Sequence, residues 1–326
     1  MDKLGVLLCG GPFSDNDFHS FYYNNTQINF YNTSQRYDSS EIKVIIGYRL
    51  TRELLNSLPN LALVHIPFAG VDILDLSMIK ERGIPLSNSH TNAKAVAEFA
   101  VTLLFSLVKQ IPKFDKDLRK GIWGGRWKKN ILDDLYGSTV TILGFGSIGK
   151  EIAYMLKPFG IKVFAIKRSL RGDEEKYKDV VYKFGTKEDL IKFLGESDSL
   201  IISVPLTKDT EGMVNYHVLD ALGNGYLVNI SRGGVVNEED VFNYLKDKRL
   251  KGAALDVWWK YPKKGETVSY PSRFPFWELD NVIMTPHTAG VTHSFLEKTK
   301  EEIISILKDM TYNRLPKNLV DLSKEY

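Results

Sequence analysis

Short runs of β-branched and other apolar residues alternate with helix-spaced patterns almost from one end of the chain to the other. Val6–Leu8, Ile28–Phe30, Val44–Ile46, Leu63–Ile66 and Ile84–Leu86 read as strands, with helices near Arg52–Ser57 and Leu76–Arg82. The pattern restarts at Val140–Leu143 and continues through Val163–Ile166, Leu200–Ser203, Leu227–Ile230, Ala253–Leu255 and Val282–Met284. Strands that are apolar along their whole length and separated by helices belong to parallel sheets covered on both faces. Two such series predict an α/β protein with two doubly wound parallel-sheet domains.

Between the series runs the most apolar stretch, Ala93–Val108. Its polar residues Glu98, Thr102 and Ser106 fall four apart, on one stripe of a helix that is otherwise buried and too short to span a bilayer. A last helical pattern, from about Ser294 to Asn313, has no second-series strand left to serve, so it is expected to pack back on the first domain. The expected division is therefore residues 1–92 plus 288–326 for one domain and 93–287 for the other, with a cleft between the two crossings.

Composition adds exclusions. The 326 residues are 43% hydrophobic and 25% charged with a net charge of only +3, which gives no reason to expect a nucleic-acid or membrane partner. The single cysteine, Cys9, rules out an intramolecular disulfide and a cysteine-based metal cluster, and suits a reducing compartment. The N-terminal residues lack the long apolar core of a signal peptide, so a cytoplasmic protein is expected.

The first chemistry-bearing motif is Gly144-Phe145-Gly146-Ser147-Ile148-Gly149, placed between the strand Val140–Leu143 and a helix from Lys150 to about Pro158. In that position the first glycine allows a tight turn, the second lets backbone approach a pyrophosphate, and the third lets helix pack on strand. The phosphates would lie at the positive helix end. A dinucleotide site of this kind selects NAD by an acid about 20 residues on. Here the next strand ends in Ile166-Lys167-Arg168-Ser169, and no carboxylate follows until Asp173, beyond a glycine. The basic cluster predicts NADP(H), with NAD(H) as the alternative; Arg168 and Ser169 are the main 2′-phosphate contacts and Lys167 assists.

The ordered landmarks Phe68-Ala69-Gly70-Val71-Asp72, Asn92–Glu98, the glycine motif, Val228–Gly234, Ala254–Val257 and Thr285–Gly290 resemble the D-isomer-specific 2-hydroxyacid dehydrogenase family over almost the whole chain. The resemblance implies a Rossmann-type cofactor domain, a flavodoxin-like substrate domain, an active site in the cleft, and a homodimer joined through the nucleotide domain. It further implies hydride transfer between a nicotinamide cofactor and a small 2-oxo or 2-hydroxy acid. In that scheme His287 is the acid/base, a histidine's unperturbed pKa lying near neutrality, and Arg232 binds carboxylate and carbonyl oxygens with its fork. Asp256 would accept from the nicotinamide carboxamide; Val96, Ser203, Pro205 and Ile230 would line the cofactor. Ala69, Gly70 and Val71 would offer the substrate carboxylate a cradle of backbone N–H groups. Trp123 also matches a family landmark and reads first as a packing residue.

One departure stands out. Family members usually carry a glutamate five residues after the aspartate of the Leu-Asp-Val motif, bonded to the catalytic histidine; here that position is Tyr261, followed by Pro262. Three readings are open. Tyr261 orients His287 through its hydroxyl, Glu266 from the longer following segment folds back into the place, or catalysis is impaired and the protein is a dinucleotide-sensing interaction partner. Glyoxylate and hydroxypyruvate are the first substrates to consider, although Tyr48, Phe68 and the Trp258-Trp259 pair offer an apolar pocket to bulkier acids such as phenylpyruvate.

Overall fold

The computed structural model describes residues 3–18, 21, 27–126, 131–263 and 265–324. The chain divides into two compact units, Met1–Asn92 with Thr292–Tyr326, and Ala93–Val291. The second boundary falls four residues beyond the expected one. Thr288 and Ala289 stay with the second unit because their N–H groups bond Asp256, and Ala289 is buried in that unit's core.

The first unit holds strands β1 (Leu4–Cys9), β2 (Ile28–Asn32), β3 (Ile42–Gly47), β4 (Leu63–Ile66) and β5 (Leu86–Asn88). All pair parallel in the order β2-β1-β3-β4-β5. Period-2 alternation divides β1 between two cores. Leu7 and Cys9 face Leu55, Leu58, Met78 and Ile79 of the helical side, whereas Leu4, Val6 and Leu8 face Ile303, Ile306, Leu307 and Met310. The latter four belong to the buried stripe of the helix His293–Thr311, so this last helix covers the sheet that the first strands build.

The second unit holds β6 (Thr139–Leu143), β7 (Lys162–Ile166), β8 (Lys183–Gly185), β9 (Ser199–Ile202), β10 (Tyr226–Asn229), β11 (Gly252–Leu255) and β12 (Val282–Met284). These are also all parallel, in the order β12-β11-β10-β9-β6-β7-β8. The order reverses between β6 and β9, and in such sheets ligands bind outside the carboxyl ends of the strands at the reversal. One face is covered by the helix Ala93–Val108, which buries Val96, Ala97, Ala100, Leu103, Leu104, Leu107 and Val108 and leaves Glu98 and Thr102 exposed. The other face carries the helices Leu190–Leu194, Tyr216–Leu222 and Glu238–Lys246. Among the described residues, no single helix is long and apolar enough to cross a membrane.

Candidate active site

The glycine turn sits at the strand reversal, directly after β6. Gly144 has φ +102°, and a Cβ there would lie 2.9 Å from Val204 and 3.0 Å from the Ser203 backbone. A Cβ on Gly149 would lie 2.2 Å from the Gly144 carbonyl oxygen, so helix and strand approach only because both positions lack side chains. Gly146 differs: it is exposed, and a Cβ there would meet nothing within 4 Å. It is also the N-cap of the helix Ser147–Leu156 and makes no side-chain cap bond. Two glycines forced by protein contacts and one facing open space are what a phosphate-binding turn requires, so the residues fit a dinucleotide.

Several of the predicted contact residues have a part in the protein's own packing. Phe145, Val96 and Ile230 are buried in the second unit's core, with Phe145 edge-on to Tyr177 and Phe184, so their side chains serve packing. The Ser203 hydroxyl donates to the Gly144 carbonyl at 2.8 Å and thereby fastens the glycine turn to the end of β9. Pro205 is exposed beyond it, and Ser147 and the half-buried Ile148 open the helix.

The loop after β7 corrects one expectation. Lys167 does not reach outward: its side chain is only 13% exposed, and its Nζ bonds Asp173 at 2.6 Å and Glu174. The carboxylates that sequence placed out of reach beyond Gly172 fold back because Gly172 adopts φ +77°. Glu174 also accepts from the N–H groups of Arg171 (3.0 Å) and Gly172 (2.8 Å). Lys167 and the Arg171 N–H hold its carboxyl down to about 2. Lys167 is therefore the clamp of this loop, and Arg168 and Ser169 lie exposed on it.

Arg232 follows β10 in a turn organised by Asn229, which the sequence reading left without a role. Asn229 Oδ1 accepts from Ser231 N (3.1 Å) and Ser231 Oγ (2.9 Å), and its Nδ2 donates to the Arg232 carbonyl at 3.0 Å. A Cβ on Gly233 would lie 2.3 Å from the Trp258 carbonyl, so the turn packs directly on the segment after β11. An Asn two or three residues before an Arg-Gly-Gly turn is the signal that could have revealed this clamp.

Asp256 ties the His287 loop to β11. It is fully buried, and its carboxylate accepts from Thr285 Oγ1 (2.6 Å), Thr288 N (3.0 Å) and Ala289 N (2.9 Å). Its three donors all come from the His287 loop. Trp258 adds a fourth tie, its Nε1 donating to the Thr285 carbonyl at 2.8 Å. Held from both sides, His287 adopts φ +57°, a left-handed conformation uncommon for a non-glycine residue. Tyr261 Oη lies 2.9 Å from His287 Nδ1 and accepts from Trp258 N at 3.3 Å. Glu266 does not take that place: it is exposed and closes its own turn by accepting from Lys263 N at 3.0 Å.

The aromatic pocket reading is also revised. Trp258 and Trp259 pack with Phe276 in the second unit, and Trp259 Nε1 donates to the Val236 carbonyl, so both are core residues. Trp123, expected to pack, is 61% exposed. In the first unit Tyr48 and Phe68 are half-buried with ring centres 6.0 Å apart, and Ala69-Gly70-Val71 follow β4.

Residues 101–289 match the family model described as D-isomer specific 2-hydroxyacid dehydrogenase, NAD binding domain. The chain belongs to this family. It is 30% identical over 291 residues to a glyoxylate reductase of Thermococcus kodakarensis, covering 87% of this chain and 84% of that one. Among solved structures it is similar to a D-lactate dehydrogenase of Aquifex aeolicus complexed with NAD and lactic acid (26% identity, TM-score 0.80, 97% and 98% coverage). It is similar also to an NADPH-dependent glyoxylate/hydroxypyruvate reductase of Sinorhizobium meliloti complexed with NADP and malonate (25%, TM-score 0.79, 99% and 98%). The chain is thus an NAD(P)-dependent dehydrogenase of the 2-hydroxyacid type.

Proposed function

We propose that this dehydrogenase reduces small 2-oxo acids, glyoxylate and hydroxypyruvate first among them, to D-2-hydroxy acids, and uses NADPH in preference to NADH. The observation that carries the reading is the Tyr261–His287 contact. With Nδ1 against the phenol, Nε2 is the nitrogen that would exchange a proton with the substrate oxygen. A nicotinamide cofactor held at the glycine turn 144–149 would supply the hydride for the carbonyl carbon. In the second unit Arg232 has the fork to hold a substrate carboxylate and polarise its carbonyl; in the first unit the consecutive N–H groups of Gly70 and Val71 offer a cradle for a carboxylate.

Cofactor choice rests on the loop after β7. Exposed Arg168 and Ser169 offer a 2′-phosphate a cation and a hydroxyl, while Lys167 draws Asp173 and Glu174 to itself and offsets one of their two negative charges. The NADPH-dependent Sinorhizobium meliloti relative supports the choice, and the NAD complex of the Aquifex aeolicus relative marks the alternative. The test is loss of nicotinamide absorbance with NADPH or NADH across glyoxylate, hydroxypyruvate, pyruvate and phenylpyruvate. Turnover with NADPH well above NADH is expected; equal rates would remove the loop argument, and no turnover with any acid would remove the reaction. A dinucleotide sensor with failed catalysis is not favoured, since the histidine retains a hydroxyl partner.

A phenol in place of the family's carboxylate has a consequence for pH. A neutral hydroxyl orients the imidazole but brings no negative charge to hold the imidazolium, which is the form that donates a proton during reduction. Tyr261→Glu should therefore carry reductive activity to higher pH. Tyr261→Phe should lower kcat about three- to tenfold, the worth of one hydrogen bond. A pH–rate profile of each variant checks both, and unchanged profiles would reduce Tyr261 to filler.

The segment between the helix Ala93–Val108 and β6 leaves Ile111, Leu118, Ile122, Trp123, Ile131 and Tyr136 49–89% exposed. Beside it lies a groove of about 360 Å³ lined by apolar residues such as Pro112, Ile131 and Ile283 and by charged ones such as Lys113, Asp133 and Lys248. We read this apolar surface as the face on which two copies meet. Sedimentation should give about twice 37.1 kDa, and Trp123→Glu with Ile131→Glu should return the monomer.

A further inference from the structure

The first unit contains a buried polar network that the reaction scheme does not use. Asn88, at the end of β5 and 5% exposed, donates from Nδ2 to the Ala69 carbonyl at 2.6 Å. The Asn88 carbonyl in turn accepts from Asn318 Nδ2, which also reaches Glu302 Oε1 at 3.3 Å. Glu302 accepts from the Ser89 hydroxyl, and Ser89 lies 3.1 Å from Nε2 of His65, whose Nδ1 lies 2.8 Å from Ser87. Burial pushes the His65 ring down to about 4, so it joins the two serines as a neutral group. The C-terminal segment is stitched to β5 as well, with Val320 N donating to the Leu86 carbonyl at 2.8 Å.

The consequence lies in one peptide plane. In a trans peptide the C=O of one residue and the N–H of the next point in opposite directions. By holding the Ala69 carbonyl, Asn88 fixes the direction of the Gly70 N–H. Among the described residues neither the Gly70 nor the Val71 N–H donates to a protein acceptor, while the Val71 carbonyl accepts from Leu74 N at 3.0 Å. Two consecutive donors are thus kept available by a side chain that takes the competing carbonyl away from them. A network of Asn, Ser, His and Glu in a core is costly unless every member is satisfied, and here its members are joined end to end.

We propose that Asn88, backed by Asn318, is a positioning residue that aims the Gly70 N–H at the substrate carboxylate; this rests on the reading of Ala69–Val71 as the carboxylate cradle. A cradle contact is made equally in the ground state and the transition state, so weakening it raises KM and spares kcat. In the full-length protein with NADPH and glyoxylate, Asn88→Asp sets a carboxylate against the Ala69 carbonyl. It should raise KM about tenfold or more, with kcat within about threefold and NADPH affinity unchanged. Asn318→Ala, at the less buried end of the network, should move KM the same way by about threefold. Should Asn88→Asp fail to fold, Asn318→Ala alone decides. An unchanged KM for glyoxylate in a folded, NADPH-binding variant overturns the assignment of Asn88. A wild-type protein that reduces no 2-oxo acid overturns the reaction itself, so the two failures are told apart.

Discussion

His287→Asn should lower kcat by about 10²–10⁴, the usual contribution of a positioned general acid or base, while NADPH still binds at the glycine turn. Asparagine is the informative replacement. His287 sits at φ +57°, and asparagine tolerates the left-handed region, so the variant removes the proton donor without forcing the loop to change shape. The same experiment tests Tyr261. If the phenol acts through the imidazole, Tyr261→Phe added to His287→Asn should cost nothing further, although alone it lowers kcat. Additive losses in the double variant would mean that Tyr261 serves the reaction independently of His287. Steady-state rates of the two single variants and the double variant, with cofactor titration as the control, decide this.

What was legible in the sequence was local chemistry in a recognisable frame. The strand, glycine turn and helix at 139–156 could be read because each glycine does its work within a few residues of its neighbours. The Tyr261–His287 pairing bridges 26 residues and was readable only as an offset within a family pattern. β8 was not readable: Lys183-Phe184-Gly185 has one apolar side chain and forms the edge of its sheet, paired on one side only. The clamp on Lys167 was hidden because it depends on how Gly172 turns the chain, not on how far away the acids are in sequence. Asn88 was hidden for a related reason. Its partners at 69 and 318 meet only once the C-terminal segment has returned to β5, and no local pattern records that.

Asp256 offers the sharpest choice between a role carried over from the family and the role its geometry gives it. Its carboxylate accepts three hydrogen bonds from the His287 loop, two of them from backbone N–H groups that have no other acceptor among the described residues. Asparagine presents one oxygen and one NH₂ there. Whichever way the amide turns, at least one of the Thr288 and Ala289 N–H groups then faces a donor in a fully buried place. Leaving one such group unsatisfied and losing charge-assisted bonds costs about 2–4 kcal/mol. In a unit of this size that is a fall in Tm of about 5–15 °C for Asp256→Asn without cofactor. The freed loop also loses the ties that hold His287 in its left-handed conformation, so kcat/KM should fall about 10²-fold through misplacement alone. A carboxylate whose main task were to receive the nicotinamide carboxamide would behave in the opposite way. The cofactor-free protein would melt near the wild-type temperature, and the loss would appear in cofactor affinity. Differential scanning calorimetry without cofactor, paired with an NADPH titration, separates the two: a lowered Tm with near-normal affinity makes Asp256 the anchor of the histidine loop, and the reverse pattern returns it to the cofactor.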